Sequence, residues 1–361
     1  MIYAYKYLSH KIEKFHENIA YFFEQMFKHD LAVYNDDVLF KADFKIIIND
    51  SNKLVGNFKE ITEKYHKLSN ADKKTIQDAY KNNCEIEHLC NNTGAYKPVK
   101  YTEISDTAFR KVLKDFLTEL WDEYYFVNSI KDNFGTIQEH FTAFKKHQTA
   151  KVCPFCGLLP LKPSTSIHRN AYDHYIPKSL YPFVSVNFKN LFPMCNECNS
   201  DEKKQTDTPY NNNLCRRKVF YPFDTFYDSS KLEISITANH VFKFKNINQV
   251  LEENDWDLAI LLAGIEDPRL VSWDEIFCIK RRYKENLIDY QITWFDDFVV
   301  KRYIENTKDG LHYNRFKDIL LDEAKSQIKD NPLSVLRYVY FNFLFSLPDF
   351  ETRLIETINV K

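Results

Sequence analysis

Only six glycines occur in 361 residues, where a usual share of about 7% would give roughly 25. That scarcity argues against glycine-rich phosphate loops and turn-rich β folds, and favours helices joined by Asn and Asp turns. An excess of one charge is missing too. The 49 Lys and Arg against 51 Asp and Glu leave a formal net charge of -2, so no global basic field announces a polyanion and any such partner must be held locally. A spanning segment is absent as well: the apolar run 335–347 is broken by Arg337 and Asn342 and falls short of the roughly 17 residues a membrane helix needs. It reads as a buried helix, and no membrane partner is expected. The opening MIYAYKYLSHKIEKF carries charges and a histidine where a secretory leader needs an unbroken apolar stretch, which makes the cytoplasm the expected compartment. In that reducing setting the eight cysteines point to metal before disulfides.

What the chain has in abundance is packing material: 44% hydrophobic and 16% aromatic residues, enough for two or three domains with real cores. Leu8, Ile12, Phe15, Ile19, Phe22 and Met26 alternate in steps of three and four, as do Phe58, Ile61, Tyr65 and Leu68, and each set keeps one helix face apolar. Ser69 with Asp72 reads as a helix start. Phe44–Ile48 is left open between a short strand and a helix end. Phe109, Val112, Phe116, Leu120 and Tyr124 form the clearest amphipathic helix, which should deliver the backbone to the central region. Leu232–Ile236, a turn at Asn239-His240 and Val241–Phe244 read as a β-hairpin. Helical spacing resumes from Trp256. The domains expected are a helical 1–146, a central 147–222, and 223–361 as a β-hairpin plus helices.

Chemistry concentrates in the centre. Cys153-x2-Cys156 and Cys195-x2-Cys198 supply four thiolates in two knuckles, the soft ligand set of tetrahedral structural zinc. Redox chemistry is the weaker alternative, because the pairs match each other and no thioredoxin-like βαβ pattern surrounds them. Cys84, His88 and Cys90 lie close in sequence but do not form a recurrent ligand spacing, and read as packing residues. Between the knuckles, Ser166–Tyr172 and Phe183–Asn187 are expected as strands and the stretch from Cys195 as a helix.

In this order, YDHYIPKS, NLFPMCNECN and the lysines that follow resemble the ββα-metal (His-Me) finger of HNH endonucleases, in the subgroup stapled by a four-cysteine zinc site. The resemblance covers about 55 residues. It implies a mainly α protein with a small central zinc-stapled finger. In it Asp173 would ligate a catalytic Mg²⁺ or Mn²⁺, His174 would be the general base, Asn190 the middle residue of the signature and Asn199 its last, a second ligand of the ion. Chemistry agrees: histidine suits water activation near neutral pH, and a carboxylate with an amide oxygen suits a hard cation that keeps waters and phosphate. Asn190 would bond across the loop between the strands and fix the imidazole's aim.

Local charge supports a polyanion partner. From 145 to 218 there are 12 Lys and Arg against five Asp and Glu, an excess of +7, which leaves -9 for the rest of the chain. Lys203 and Lys204 are expected at backbone phosphates, with Arg216, Arg217 and Lys218 extending the track. Tyr172, Tyr175, Tyr181 and Phe183 fit core packing better than base stacking. The resulting expectation is a metal-dependent endonuclease acting on DNA, in restriction or phage defence, under a regulatory or sensor protein partner. The alternatives are a zinc-stapled nucleic-acid-binding module without catalysis and a toxin-like nuclease acting on RNA.

Overall fold

The first apolar stripe becomes helix α1 (Glu13–His29), which buries Phe15, Ile19, Phe22, Phe23 and Met26. In the computed structural model, which describes residues 1–238, 247, 251, 256–308 and 310–360, the chain divides into two units. One comprises Tyr5–Thr149 and Lys162–Thr225; the other comprises Met1–Ala4, Ala150–Leu161 and Phe226–Lys361.

In the first unit α1 is followed by α2 (Asp36–Leu39), α3 (Ala42–Asn49), α4 (Asn52–His66), α5 (Asn70–Asn83), α6 (Ile86–Cys90), α7 (Thr107–Asp122), α8 (Asn128–Phe134) and α9 (Ile137–His147). Side-chain caps mark several starts. Ser51, Ser69 and Asp106 each accept a bond from the backbone N–H three residues on, satisfying donors that a helix cannot satisfy itself. Phe44–Ile48 belongs to α3. The core is aromatic: Phe58 meets Phe22, Phe40 and Phe116 edge-on at 4.6, 4.8 and 5.0 Å between ring centroids, a geometry that adds to the burial of each ring. Phe183, Phe188 and Leu191 join this core, so the central stretch rests on helical packing rather than on its own small interior.

That stretch holds strands β1 (Tyr172–His174) and β2 (Leu191–Pro193), paired antiparallel with Asp173 opposite Phe192 and His174 opposite Leu191. A wide helical turn, Glu197–Lys203, follows. Both strand expectations are corrected. Ser166–Tyr172 pairs only from Tyr172, because the Ser166 hydroxyl bonds the backbone of His168 in a local turn. Phe183–Asn187 begins in a 3-10 turn, Pro182–Val184, where proline presets φ and supplies no ladder donor.

The second unit pairs β3 (Leu232–Ala238) with β4 (Trp256–Leu262), Leu232 opposite Leu262. The expected turn at 239–240 and return strand at 241–244 lie outside the described residues. The helical reading that starts at Trp256 gives way there to β4, where Trp256, Leu258, Ile260 and Leu262 are buried in alternation; period two wins over three and four. Then come α10 (Pro268–Phe277), α11 (Ile279–Trp294), α12 (Lys301–Lys308), α13 (Tyr313–Ser326), α14 (Ser334–Ser346) and α15 (Phe350–Val360). The apolar run at 335–347 is α14, which buries Val335, Leu336, Val339, Tyr340, Phe341, Phe343 and Leu344. Among the described residues no helix is long and apolar enough to cross a membrane. The protein is mainly α-helical with small antiparallel β elements and a four-cysteine cluster.

Candidate metal centre and the Asp-His hairpin

The first knuckle is a tight turn held by its own backbone. Cys153 N–H donates to the Leu159 carbonyl and Gly157 N–H to the Cys153 carbonyl, both at 2.8 Å, while Leu158 N–H points at Cys156 Sγ, 3.4 Å away. Gly157 turns the chain at φ +71°, and a Cβ there would sit 3.1 Å from Val335 Cγ1 and 3.2 Å from Ile2 Cγ1; this position needs glycine both for its left-handed backbone and for space. The outward carbonyls of Phe155 and Cys156 accept from Trp273 Nε1 at 2.6 Å and the Tyr283 hydroxyl at 2.7 Å. In the second knuckle Asn199 N–H closes onto the Cys195 carbonyl at 3.1 Å.

All four cysteines are buried, and their sulfur atoms lie within 4.8 Å of one another. Tetrahedral zinc with bonds of about 2.3 Å sets sulfur–sulfur edges of roughly 3.8 Å, so the cluster is sized for one such ion. Its all-thiolate donors suit structural zinc and leave no open position for substrate. The metal-ligand expectation for Cys153, Cys156, Cys195 and Cys198 thus meets a matching geometry. Among the described residues Cys84, His88 and Cys90 form no such group; Cys90 is buried and His88 stacks on Tyr96.

Asp173 is in a different situation. It is 4% exposed, and Lys203, at 0%, bonds its Oδ1 at 3.1 Å, lies 3.0 Å from Oδ2, and bonds the His174 carbonyl at 2.9 Å. Burial pushes the Asp173 carboxyl upward while the Lys203 ammonium pulls it back down. A fully buried ammonium has no surface to offer a phosphate, and Lys203, expected at a phosphate, is here paired with Asp173. The divalent ion implied for Asp173 does not fit this arrangement, because magnesium bonds of about 2.1 Å would set it beside an ammonium already in contact with both carboxylate oxygens. One detail runs the other way, since Oδ2 has ion-pair contact but no oriented hydrogen bond.

His174 is half-buried. Its Nε2 lies 2.7 Å from the Ser185 carbonyl, and Trp121, at the end of α7, meets its ring edge-on at 5.0 Å. Burial first, then the nearby Lys178 and Lys203 charges, push its pKa down to about 3 against the opposing bond to Ser185. The imidazole is therefore neutral near pH 7, and the contact to a carbonyl makes Nε2 the N–H donor and leaves Nδ1 with the lone pair. Asn190 is fully buried; its Oδ1 accepts from Ile176 N–H at 2.8 Å and its Nδ2 donates to the Ile176 carbonyl at 2.9 Å, bridging the two arms of the hairpin. Asn199 is partly exposed within the wide helical turn.

The basic residues separate into two kinds. Lys162, Lys189, Lys204 and Lys218 are exposed. Arg216 and Arg217, expected along a phosphate track, instead stitch loops together, donating to the carbonyls of Pro209 and Leu89 and to those of Asp207 and Tyr210. Tyr172, Tyr175, Tyr181 and Phe183 are buried. Two relationships escaped sequence reasoning: the ring of Trp121 against His174 and the pairing of Lys203 with Asp173. Trp121 offered no signal beyond its place on an amphipathic helix, and the burial that pairs Lys203 with Asp173 is set by the fold.

No protein-family model, curated protein or solved structure matches this chain.

Proposed function

We propose that residues 147–222 form a zinc-stapled nucleic-acid-binding module on the plan of an HNH finger, without hydrolytic activity in the arrangement described. The observation that carries this reading is the contrast between two candidate metal positions. Four buried thiolates are gathered for a structural ion, whereas the carboxylate implied to hold a catalytic ion is neutralised by Lys203. A backbone-binding role needs the first and not the second. It also needs accessible cations, and Lys162, Lys189, Lys204 and Lys218 are exposed in a region with an excess of +7 over 145–218. Contacts of this kind fix position on the phosphate backbone and carry no sequence information. Four reduced cysteines as ligands accord with a cytoplasmic setting.

A second reading is the metal-dependent endonuclease acting on DNA, or on RNA in the manner of a toxin, with restriction or phage defence as its setting. Two observations favour it: the neutral imidazole of His174 held in one orientation by Ser185, and the Asp173 Oδ2 that makes no hydrogen bond. It requires Lys203 to leave Asp173, so that Asp173 and Asn199 can hold Mg²⁺ or Mn²⁺.

The binding reading is tested by fluorescence anisotropy with labelled duplex DNA, single-stranded DNA and RNA. The zinc-loaded full chain is expected to bind at least one of these, with affinity falling steeply with salt. Chelation of the metal should abolish binding. No binding to any of the three by the zinc-loaded chain would refute the proposal.

A further inference from the structure

We propose that Lys203 is a resident cation, occupying for Asp173 the position that a divalent ion would take, so that this hairpin needs no second metal to be complete. The inference rests on the HNH-like reading of the hairpin, and it adds a role for Lys203 that the resemblance does not supply. Geometry carries it. The ammonium is fully buried, contacts Oδ1 and Oδ2 of Asp173 at 3.1 and 3.0 Å, and also bonds the carbonyl of His174 at 2.9 Å. One cation thus ties the first strand of the hairpin to the end of the helical turn that carries Cys198. A metal bridging the strand carboxylate and that turn would make the same tie.

Chemistry gives the arrangement a cost structure that can be read out. A buried ion pair adds little net stability over an apolar pair of the same volume, but removing one partner strands an uncompensated charge. Lys203→Met should therefore leave Asp173 stranded, and Asp173→Asn should leave Lys203 stranded. The double variant removes both charges together. It should be nearly as stable as the parent, with a strongly non-additive cycle. Lys203→Ala, which keeps the carboxylate and opens space beside it, should convert the position into a site for a hard divalent cation.

The experiment uses the zinc-loaded full chain, with Mn²⁺ as the probe read by isothermal titration calorimetry and electron paramagnetic resonance, and thermal denaturation alongside. The parent should take up no stoichiometric Mn²⁺ and show no Mn²⁺-dependent shift in Tm. Each single neutralising variant should lose on the order of 10 °C, and Asp173→Asn/Lys203→Met should regain most of it. Lys203→Ala should bind one Mn²⁺ and gain Tm with it. Stoichiometric Mn²⁺ binding by the parent that disappears in Asp173→Asn would overturn the proposal, and so would an additive cycle or a Lys203→Ala variant indifferent to Mn²⁺. If Lys203→Ala does not fold, the parent titration and the double-variant cycle still decide. Nucleic-acid binding enters none of these measurements, so the resident-cation proposal and the binding proposal fail separately.

Discussion

Asn190 holds both backbone groups of Ile176, accepting from its N–H at 2.8 Å and donating to its carbonyl at 2.9 Å, and by this double bond sets the spacing between the strand that carries His174 and the one that follows. Asn190→Ala leaves a buried donor and a buried acceptor without partners, each costing about 1–3 kcal/mol. A loss of roughly 2–4 kcal/mol is expected in urea denaturation. Asn190→Asp should be no better near pH 7, because a carboxylate oxygen would replace the amide donor facing a carbonyl. Stability within about 0.5 kcal/mol of the parent for Asn190→Ala would show that the bridge contributes nothing.

The cysteine cluster makes the central region metal-dependent. Replacing Cys195 by Ser removes one thiolate from a closed tetrahedral set, and zinc affinity is expected to fall by more than about a hundredfold. A chromogenic chelator competition measures this directly. Full zinc content with unchanged resistance to the chelator in Cys195→Ser would contradict the four-thiolate assignment.

Acid should destabilise the protein before its carboxylates titrate. His140 is buried beside Phe144, Phe188 and His10; its Nδ1 pairs with the Tyr172 hydroxyl, and burial, with His10 adding to it, pushes its pKa down to about 3. His16 is pushed down to about 4, again by burial and then by Lys189. Both are near 6.5 in an unfolded chain. Below that value the unfolded chain binds protons that the folded one refuses, so their contribution is complete above pH 6.5 and is lost as pH falls toward 4 and then 3. Each group adds a slope of up to about 1.4 kcal/mol per pH unit in that window. Urea midpoints at pH 7 and pH 5 test this, and His140→Gln should flatten the difference. Equal midpoints at the two pH values would contradict the neutral buried imidazoles.

Among the lysines, Lys204 is the exposed neighbour of a buried one. If Lys204 meets a backbone phosphate, Lys204→Ala should weaken binding about equally across duplex sequences and lower the salt slope by about 1. Unchanged affinity and slope would remove Lys204 from the binding surface.

Legibility from sequence followed the range over which each feature is determined. The helices α1, α4 and α7 announced themselves because their apolar spacing is local, the start of α5 because Ser69 caps it locally, and the cysteine pairs because ligand spacing is local too. The two strands of the hairpin were misplaced because each is three residues long and its pairing is decided by packing on a distant helical core. Strand β4 was misread because Trp256–Leu262 satisfies two periods at once. The fate of Lys203 and of Arg216 and Arg217 was invisible for a different reason: residue type sets charge, but only the fold decides whether that charge faces solvent or a carbonyl. The same limit hid Trp121 at the imidazole.

The most direct test of a module that binds without cutting is incubation of supercoiled plasmid and of labelled RNA with the zinc-loaded chain in Mg²⁺ or Mn²⁺, with His174→Ala in parallel. The closed Asp173–Lys203 pair predicts that both proteins leave the strands intact under conditions where the nucleic acid is bound. Cleavage by the parent that is lost in His174→Ala would contradict that account and establish the endonuclease in its place.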